Sequence, residues 1–458
     1  MSQSPRGPEP LTEPRRIPDA EHHIARDRIS PNALQVLRVL RDAGHEAYLV
    51  GGGVRDLLVG LKPKDFDIST SARPEQVRSL FRSARLIGRR FVITHVRMGG
   101  EILEVTTFRG AVRASQQRDE TGRILSDNIY GSLESDAFRR DFTVNALYYD
   151  LDDESVLDYA GGMQDLHARR LRLIGEPELR YREDPVRMLR AVRIAEKLDF
   201  AIDPSAAQPI VPLAPLLGEV PAARLFEEVL KLFMNRDAVA NFQGLRQHGL
   251  FRVLFPDSAR ALDADAGAVA LIEQALANTA QRVIDGRPVT PAFLYAALLW
   301  PVVAKRAAHL AAVEGYPPLP ALSQAADEAI ARQVPHTALP RRFSMPMREI
   351  WLLQPRFDGR RGARAQRLLA HPRFRAAYDF LELRAATCEP MLAPLAQWWT
   401  QAQQQPETAV GVDEPAAAPA AEEARPARRR RRGGRGRHRG AKVAADGAND
   451  TPEDGAEA

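Results

Sequence analysis

The chain has 458 residues, a net charge of +5 and a single cysteine. Its length suggests roughly two or three domains, and Cys388 alone excludes a disulfide framework and any cysteine-rich zinc site, which fits a reducing cytoplasm. No uninterrupted apolar stretch approaches the roughly 18 residues of a membrane span, and the opening MSQSPRGPEPLTEPRR lacks an apolar signal core, so a soluble cytoplasmic protein without membrane contact is expected.

Residues 1–29 are rich in proline and charge and are expected to be disordered. Ser30 is a good N-cap and Pro31 suits the first helical position, so NALQVLRVLRDAG predicts a helix stopped at Gly44. Short β-prone runs follow, EAYLVGG, KDFDIST, FVITHVRMG, ILEVTTF and TVNALYYDL, with a helix at Pro74 to Arg82 between the second and third. They predict an α/β domain ending near residue 170. Beyond it the pattern is helical almost throughout, in runs such as AARLFEEVLKLFM, PAFLYAALLWPVVAKRAA and HPRFRAAYDFLELRA.

Chemistry first shows in YLVGGGVRDLLVG, residues 48–60, where three glycines precede what reads as a helix start. Glycines let a backbone approach a ligand closely, and a helix N-terminus behind them favours phosphate; a plain turn is the alternative. KDFDIST then sets Asp65 and Asp67 at i and i+2, on one face of an extended chain and roughly 6 to 7 Å apart at Cα. Like charges that close suit a divalent cation such as Mg2+, or else a solvated polar turn.

Three further clusters follow in order. In GGEILEVTTFRG, Glu104 sits in a β-branched run and either joins the aspartates' face or points to water. In DAFRRDFTVNALYYD, Arg139 and Arg140 beside Asp141 suit a polyphosphate and a ribose hydroxyl, or form a surface ion-pair cluster. In RYREDPVRMLRAVRIAEKLDF, Pro185 marks a helix start, Val186, Leu189, Val192 and Ala195 make an apolar stripe, and Arg187, Arg190 and Arg193 a cationic one. Asp184 and Arg187, one turn apart, present an acceptor and a donor fork able to read a base edge, unless the arginines are merely solvated.

The charge is concentrated at the end. RPARRRRRGGRGRHRGAK, residues 425–442, holds nine arginines and one lysine with no acid, so the rest of the chain carries about −5. Such a low-complexity arm binds nucleic-acid phosphates in a salt-dependent way, the plainer alternative being a solubility tail.

GGGVRDLLVG, the D-x-D of KDFDIST, EVTTFRG, RRDFTVNALYY and REDPVRMLRAVR occur in the order of the motifs of the class II nucleotidyltransferase superfamily, which contains CCA-adding enzymes and bacterial poly(A) polymerases. The chain resembles that superfamily from about residue 28 to 400, and LIGRRFVITHVRMG, residues 86–99, looks like the segment that separates poly(A) polymerases from CCA-adding enzymes. ISPNAL, TPAFLYAALLW, HPRFRAAYDFLELRA and the basic tail extend the likeness.

The resemblance implies an α+β chain: a mixed α/β nucleotidyltransferase palm domain at 30–170, an all-helical neck at 171–240 for base and RNA, an all-helical RNA-binding body at 241–400 and a disordered basic tail at 401–458. It implies two Mg2+ ions on Asp65 and Asp67, with Asp141 in the acidic set near the nucleotide sugar and Glu104 an additional carboxylate. Gly52, Gly53 and Arg55 would hold the triphosphate, Asp56, Arg140 and Arg190 would join the nucleotide-binding set, and the E-D-x-x-R of Glu183, Asp184 and Arg187 would template the base. Ile194, where the family often has an aromatic, is a packing change, and Ala111 to Asp127 looks like a mobile loop.

The activity so implied is template-independent addition of AMP from ATP to single-stranded RNA 3′ ends, which promotes decay and implies partners in the RNA-decay machinery. The paired aspartates would then hold catalytic metal rather than act as acid and base. A CCA-adding enzyme would share the N-terminal half but has little use for the LIGRRF segment or the long tail. A non-catalytic RNA-binding protein would be betrayed by a lost acid, and Asp65, Asp67 and Asp141 are all present. His95 and Cys388 are expected to do no more than pack.

Overall fold

The computed structural model describes residues 13–88, 92–110 and 129–404. Ser30 accepts from the Ala33 amide and Pro31 opens the helix Pro31–Asp42, as the capping pattern predicts. Gly44 follows at φ +83°, the left-handed conformation that lets the chain turn back into a strand.

Eight strands form one sheet: β1 (Arg15–Ile17), β2 (Ala47–Val50), β3 (Asp67–Thr70), β4 (Arg85–Ile87), β5 (Ile93–Met98), β6 (Glu101–Thr107), β7 (Leu147–Tyr149) and β8 (Val156–Asp158). Their order is β1-β8-β7-β2-β3-β6-β5-β4, antiparallel throughout except for the parallel pair β3–β6. The parallel pair needs a crossover, and the helix Pro74–Leu80 lies within it.

Alternation divides the central strands between two cores. Ala47, Leu49, Ile68, Leu147 and Tyr149 join the main core, while Tyr48, Val50, Phe108 and Tyr148 form a second cluster with Leu133 and Ala137. The helix Leu133–Arg139 therefore covers the face of β2 and β7 opposite the main core. Ile68 turns to the main core, so Asp67 and Ser69 turn toward that helix.

From Pro177 on the chain is built of helices, among them Val186–Leu198, Ala222–Phe233, Pro291–Ala312 and Phe374–Thr387. A short parallel pair, β9 (Arg170–Leu171) with β10 (Ala201–Ile202), links the end of the α/β region to the chain after Val186–Leu198. A separate core of Leu353, Phe357, Leu368, Phe374 and Trp399 holds the last described helices. Among the described residues no helix is long and apolar enough to cross a membrane.

Several expectations change. Disorder over 1–29 fails from Arg15 onward: Arg15–Ile17 pairs with β8 and buries Ile17, and His22 is buried in the following turn. Composition weighs the prolines and charges but does not see that edge waiting for a partner. The run TVNALYYDL splits into a 3-10 turn, Thr143–Asn145, and the shorter β7. Residues 1–12, Arg89 to Phe91 of the LIGRRF segment, the Ala111 to Asp127 loop and the tail from 405 lie outside the described residues.

Candidate active site

Gly51 leaves β2 at φ +77°, ψ −138°, a conformation reserved to glycine. A Cβ there would stand 3.5 Å from Asp67 Oδ2 and 3.6 Å from Arg140 Nη1. The glycine turn, the second aspartate and a distant arginine thus meet at one point, because β2 pairs with β3 so that Val50 faces Asp67. The helix Gly52–Leu58 follows with no side chain capping its first turn. Gly53 packs on the aspartate segment itself: a Cβ would lie 3.1 Å from the Asp65 carbonyl and 3.2 Å from the Phe66 ring.

Asp65 is exposed, Phe66 is buried and Asp67 is half-buried, so both acids leave the face that the phenylalanine does not. Glu104 stands in register with Asp67 across β3–β6, and His95 in register with Glu104 on β5, its Nε2 3.6 Å from Glu104 Oε1. Burial first, then Glu104, pushes the Asp67 carboxyl up to about 6, with Asp65 adding and Arg140 and Arg190 opposing. These oxygens, short of positive charge, suit a hard divalent cation. Among the described residues no three His, Cys, Asp or Glu side chains gather as a metal cluster, so a cation here would complete its shell from water and phosphate oxygen.

Behind the acids lies Asp136, 1% exposed. It accepts from Ser69 Oγ at 3.0 Å, the Arg109 amide at 3.1 Å, Tyr148 OH at 2.8 Å and Arg140 Nη2 at 3.0 Å. Arg140 Nε donates to the same tyrosine hydroxyl at 2.8 Å, so two edges of its guanidinium are fixed and Nη1 is left toward Gly51 and Asp67. Burial alone would raise the Asp136 carboxyl, but Arg140, Arg109 and the Tyr148 bond hold it below the usual carboxylate range.

Asp141 is held differently. It accepts from Asn145 Nδ2 at 3.0 Å, its neighbour Phe142's amide at 2.9 Å and Arg190 Nε at 2.7 Å. Against burial, Arg190 and these bonds keep its carboxyl far below its ordinary value. Asn145 also ties in Arg55: its Oδ1 accepts from Arg55 Nη1 at 2.6 Å, while Arg55 Nε and Nη2 bind Asp56, itself 2.5 Å from Lys197 Nζ.

Further along the chain, Glu183 ends the helix Pro177–Glu183 and Asp184 lies in the break before Val186–Leu198. Glu183 Oε2 accepts from Arg180 Nη1 at 2.8 Å and Arg187 Nη1 at 3.2 Å. Arg180 Nη2 donates to the carbonyls of Arg139 and Arg140, joining this helix to the end of Leu133–Arg139. Asp184 receives both arms of Arg224, at 2.9 and 2.8 Å.

Comparison with known proteins puts this geometry in context. Residues 47–172 match the family described as "Poly A polymerase head domain", 199–262 the "Probable RNA and SrmB- binding site of polymerase A", and 314–436 the "Polymerase A arginine-rich C-terminus". Poly(A) polymerase I of Salmonella typhi is 50% identical over 396 residues, covering 84% of this chain and 85% of that protein.

The chain belongs to the poly(A) polymerase family.

Relatives outside that family are more distant or match less of the chain. The CCA-adding enzyme of Bacillus subtilis is 38% identical over 228 residues, 50% of this chain and 56% of that protein. The structure of a CCA-adding enzyme of Bacillus stearothermophilus in complex with CTP is similar at a TM-score of 0.50 and 28% identity, covering 81% of this chain and 83% of that one.

Within this poly(A) polymerase family member, the expected residues fall into two groups. Gly52, Gly53, Asp65, Asp67, Glu104 and Arg140 gather around the Gly51 turn. Arg55 and Asp56 are both buried beside them, and the Arg55 guanidinium is used by Asp56 and Asn145 on all its edges. Asp141 is likewise saturated, and its bond to Arg190 makes the two a positioning pair. Asp184 and Arg187 are each held by neighbours, Arg224 gripping the first and Glu183 with the Arg180 carbonyl the second. The arginine stripe is not a solvated face, because Arg187, Arg190 and Arg193 are all only partly exposed.

Asp136, Tyr148, Asn145, Arg180, Lys197 and Arg224 were missed by sequence reasoning. Asp136, Asn145 and Arg180 carried a local signal, at spacings of four from Arg140, four from Asp141 and three from Glu183. Their longer links, and those of Lys197 and Arg224, span 40 to 141 residues of chain, and Tyr148 stands on an unremarkable strand, where no spacing rule reaches. Cys388 is half-buried, its thiol pushed up by burial, which fits packing.

Proposed function

We infer that this chain adds AMP from ATP to the 3′-hydroxyl of RNA without a template: the 3′-oxygen bonds to the α-phosphorus as the bond to the pyrophosphate breaks. The 50% identity to a poly(A) polymerase I over 84% of the chain carries the reading. The CCA-adding alternative draws on a sequence likeness over half the chain and a wider structural likeness at 28% identity, and a non-catalytic scaffold is disfavoured by the full acid set.

Asp65 and Asp67 are assigned to hold Mg2+, with Glu104 beside them as an accessory carboxylate; the raised Asp67 carboxyl among like charges supports that fit. Bound there, two such ions would lower the pKa of the RNA hydroxyl and offset charge on the departing pyrophosphate.

The chain's own residues do the rest. The Gly52 and Gly53 backbone and the free edge of Arg140 receive the triphosphate, and Asp136 with Tyr148 keeps that guanidinium in place before ATP arrives, which reduces the reorganisation needed on binding. Asp141 steers Arg190 toward the sugar. Asp184 and Arg187 read the adenine edge, with Glu183 orienting Arg187 and Arg224 orienting Asp184. Residues 30–170 are thus the catalytic domain, 171–240 the neck and 241–400 the body, and the neck, body and Arg-rich tail hold RNA. Action in the cytoplasm with RNA-decay proteins follows from that substrate.

Incubation of the purified protein with labelled single-stranded RNA, Mg2+ and each nucleotide separately tests this. A long ladder with ATP alone is expected; addition of a few residues requiring both CTP and ATP on a tRNA-like end would move the assignment to CCA addition.

A further inference from the structure

Apart from its Arg-rich tail, the folded body carries a second concentration of arginine. Residues 355–375, PRFDGRRGARAQRLLAHPRFR, hold seven arginines and one acid, Asp358. The structure folds this segment around the separate Trp399 core: Phe357, Ala365, Leu368 and Phe374 point into it, so the arginines between them are turned outward. Arg364 and Arg367, three apart on the helix Gly362–Leu369, share one face, while Ala365 and Leu368 bury the other.

Arg356, Arg364 and Arg367 line an open groove of about 550 Å³ with His371 at its wall. All three are exposed, and among the described residues no carboxylate pairs with any of them. Asp358, also at the groove, makes no ion pair among the described residues either. Elsewhere in this region the pattern differs: Arg373 is paired with Glu349 and Arg375 with Asp379. A guanidinium is a planar fork suited to phosphate oxygens, and three of them around one groove on a rigid support make an anion site.

We propose that this groove is a second anchor for single-stranded RNA, binding the phosphates of the chain upstream of its reacting 3′ end; this rests on the polyadenylation reading. The groove lies on its own core, distinct from the one that carries the acids. It has a fixed place in the fold, so it engages only RNA long enough to reach it. The tail, by contrast, is basic throughout residues 425–442 and is taken to add affinity at every length. The surface is made of arginine forks rather than stacking aromatics, so it is indifferent to base identity and sensitive to salt.

The test compares the full-length parent with R356A/R364A/R367A, its charge-preserving counterpart R356K/R364K/R367K, and R428A/R429A/R430A as a charge-matched control in the tail. Binding to a short oligoadenylate and to one several times longer is measured by fluorescence anisotropy over a salt series, with AMP addition to the short primer as the check on folding. The groove triple-alanine variant should bind the long RNA about tenfold more weakly, with a log–log salt slope shallower by about 2, while short-primer binding and extension stay at parental levels. The lysine variant should keep most of the affinity, and the tail control should weaken both lengths alike. Long-RNA affinity equal to the parent's in the groove variant overturns the anchor, as does equal weakening of short and long RNA. Failure of the parent itself to add AMP would instead overturn the polyadenylation reading.

Discussion

Arg140 and Asp136, four residues apart at the end of one helix, meet at 3.0 Å with the carboxylate almost wholly buried. The pair sets the free edge of Arg140 beside Asp67 and Gly51, so a bond made entirely behind the site decides how its front is shaped.

Replacing Asp136 by Ala should leave a largely enclosed guanidinium and a buried tyrosine hydroxyl short of their acceptor. Breaking one side of a buried pair costs about 3–5 kcal/mol, to be read as a lower midpoint in urea unfolding. The pH dependence has a defined sign. The folded carboxyl is held below its ordinary range, so the pair's contribution is fully present above the unfolded value of about 3.9 and is lost as pH falls through the lower folded value. Asp136→Asn should therefore show a shallower loss of stability on acidification than the parent; parallel curves would remove the pair from the acid limb.

Asp67→Ala should abolish AMP addition while RNA affinity holds. The loss expected is several kcal/mol of transition-state stabilisation, or on the order of a thousandfold in rate. Primer extension and anisotropy on the same preparation check it, and extension near the parental rate would overturn the metal assignment.

Arg187→Ala should relax nucleotide choice as well as slow the reaction. Each buried polar group left unpaired costs about 1–3 kcal/mol, and the parent imposes that penalty on the wrong bases. The ratio of kcat/KM for ATP to that for GTP and CTP should fall by roughly one to two orders of magnitude. A slowed enzyme with its ATP preference intact would exclude base reading by Arg187.

Gly51→Ala should damage the site with little else changed. An L-residue at φ +77°, ψ −138° is strained by about 1–3 kcal/mol, and relief of that strain would shift the turn that brings Asp67 and Arg140 together. A raised KM for ATP with a modest drop in melting temperature is expected; an unchanged KM would show that the turn tolerates a side chain.

The sequence by itself determined the class of chemistry and much of the frame. The N-cap at Ser30, the β-prone runs at β2, β3, β5 and β6, the acids at Asp65 and Asp67 and the helix Val186–Leu198 are all written in local patterns of period two or 3.6, and local patterns are what spacing rules detect. Strand alternation left open whether Glu104 joined the aspartates' face or pointed to water, and the β3–β6 register set it opposite Asp67. The tertiary structure alone decided the rest. Three-residue strands such as β1 and β8 have too few residues to show a period and exist because an edge is there to pair with. Arg55 and Asp56, in the glycine-rich motif, are tied to Asn145 and Lys197, which stand 90 and 141 residues further along the chain. Charge in a sequence is only a count; whether an arginine faces a ligand, a carboxylate or a carbonyl depends on which partners folding brings within 3 Å, and hydrogen bonds at that range carry no trace along the chain.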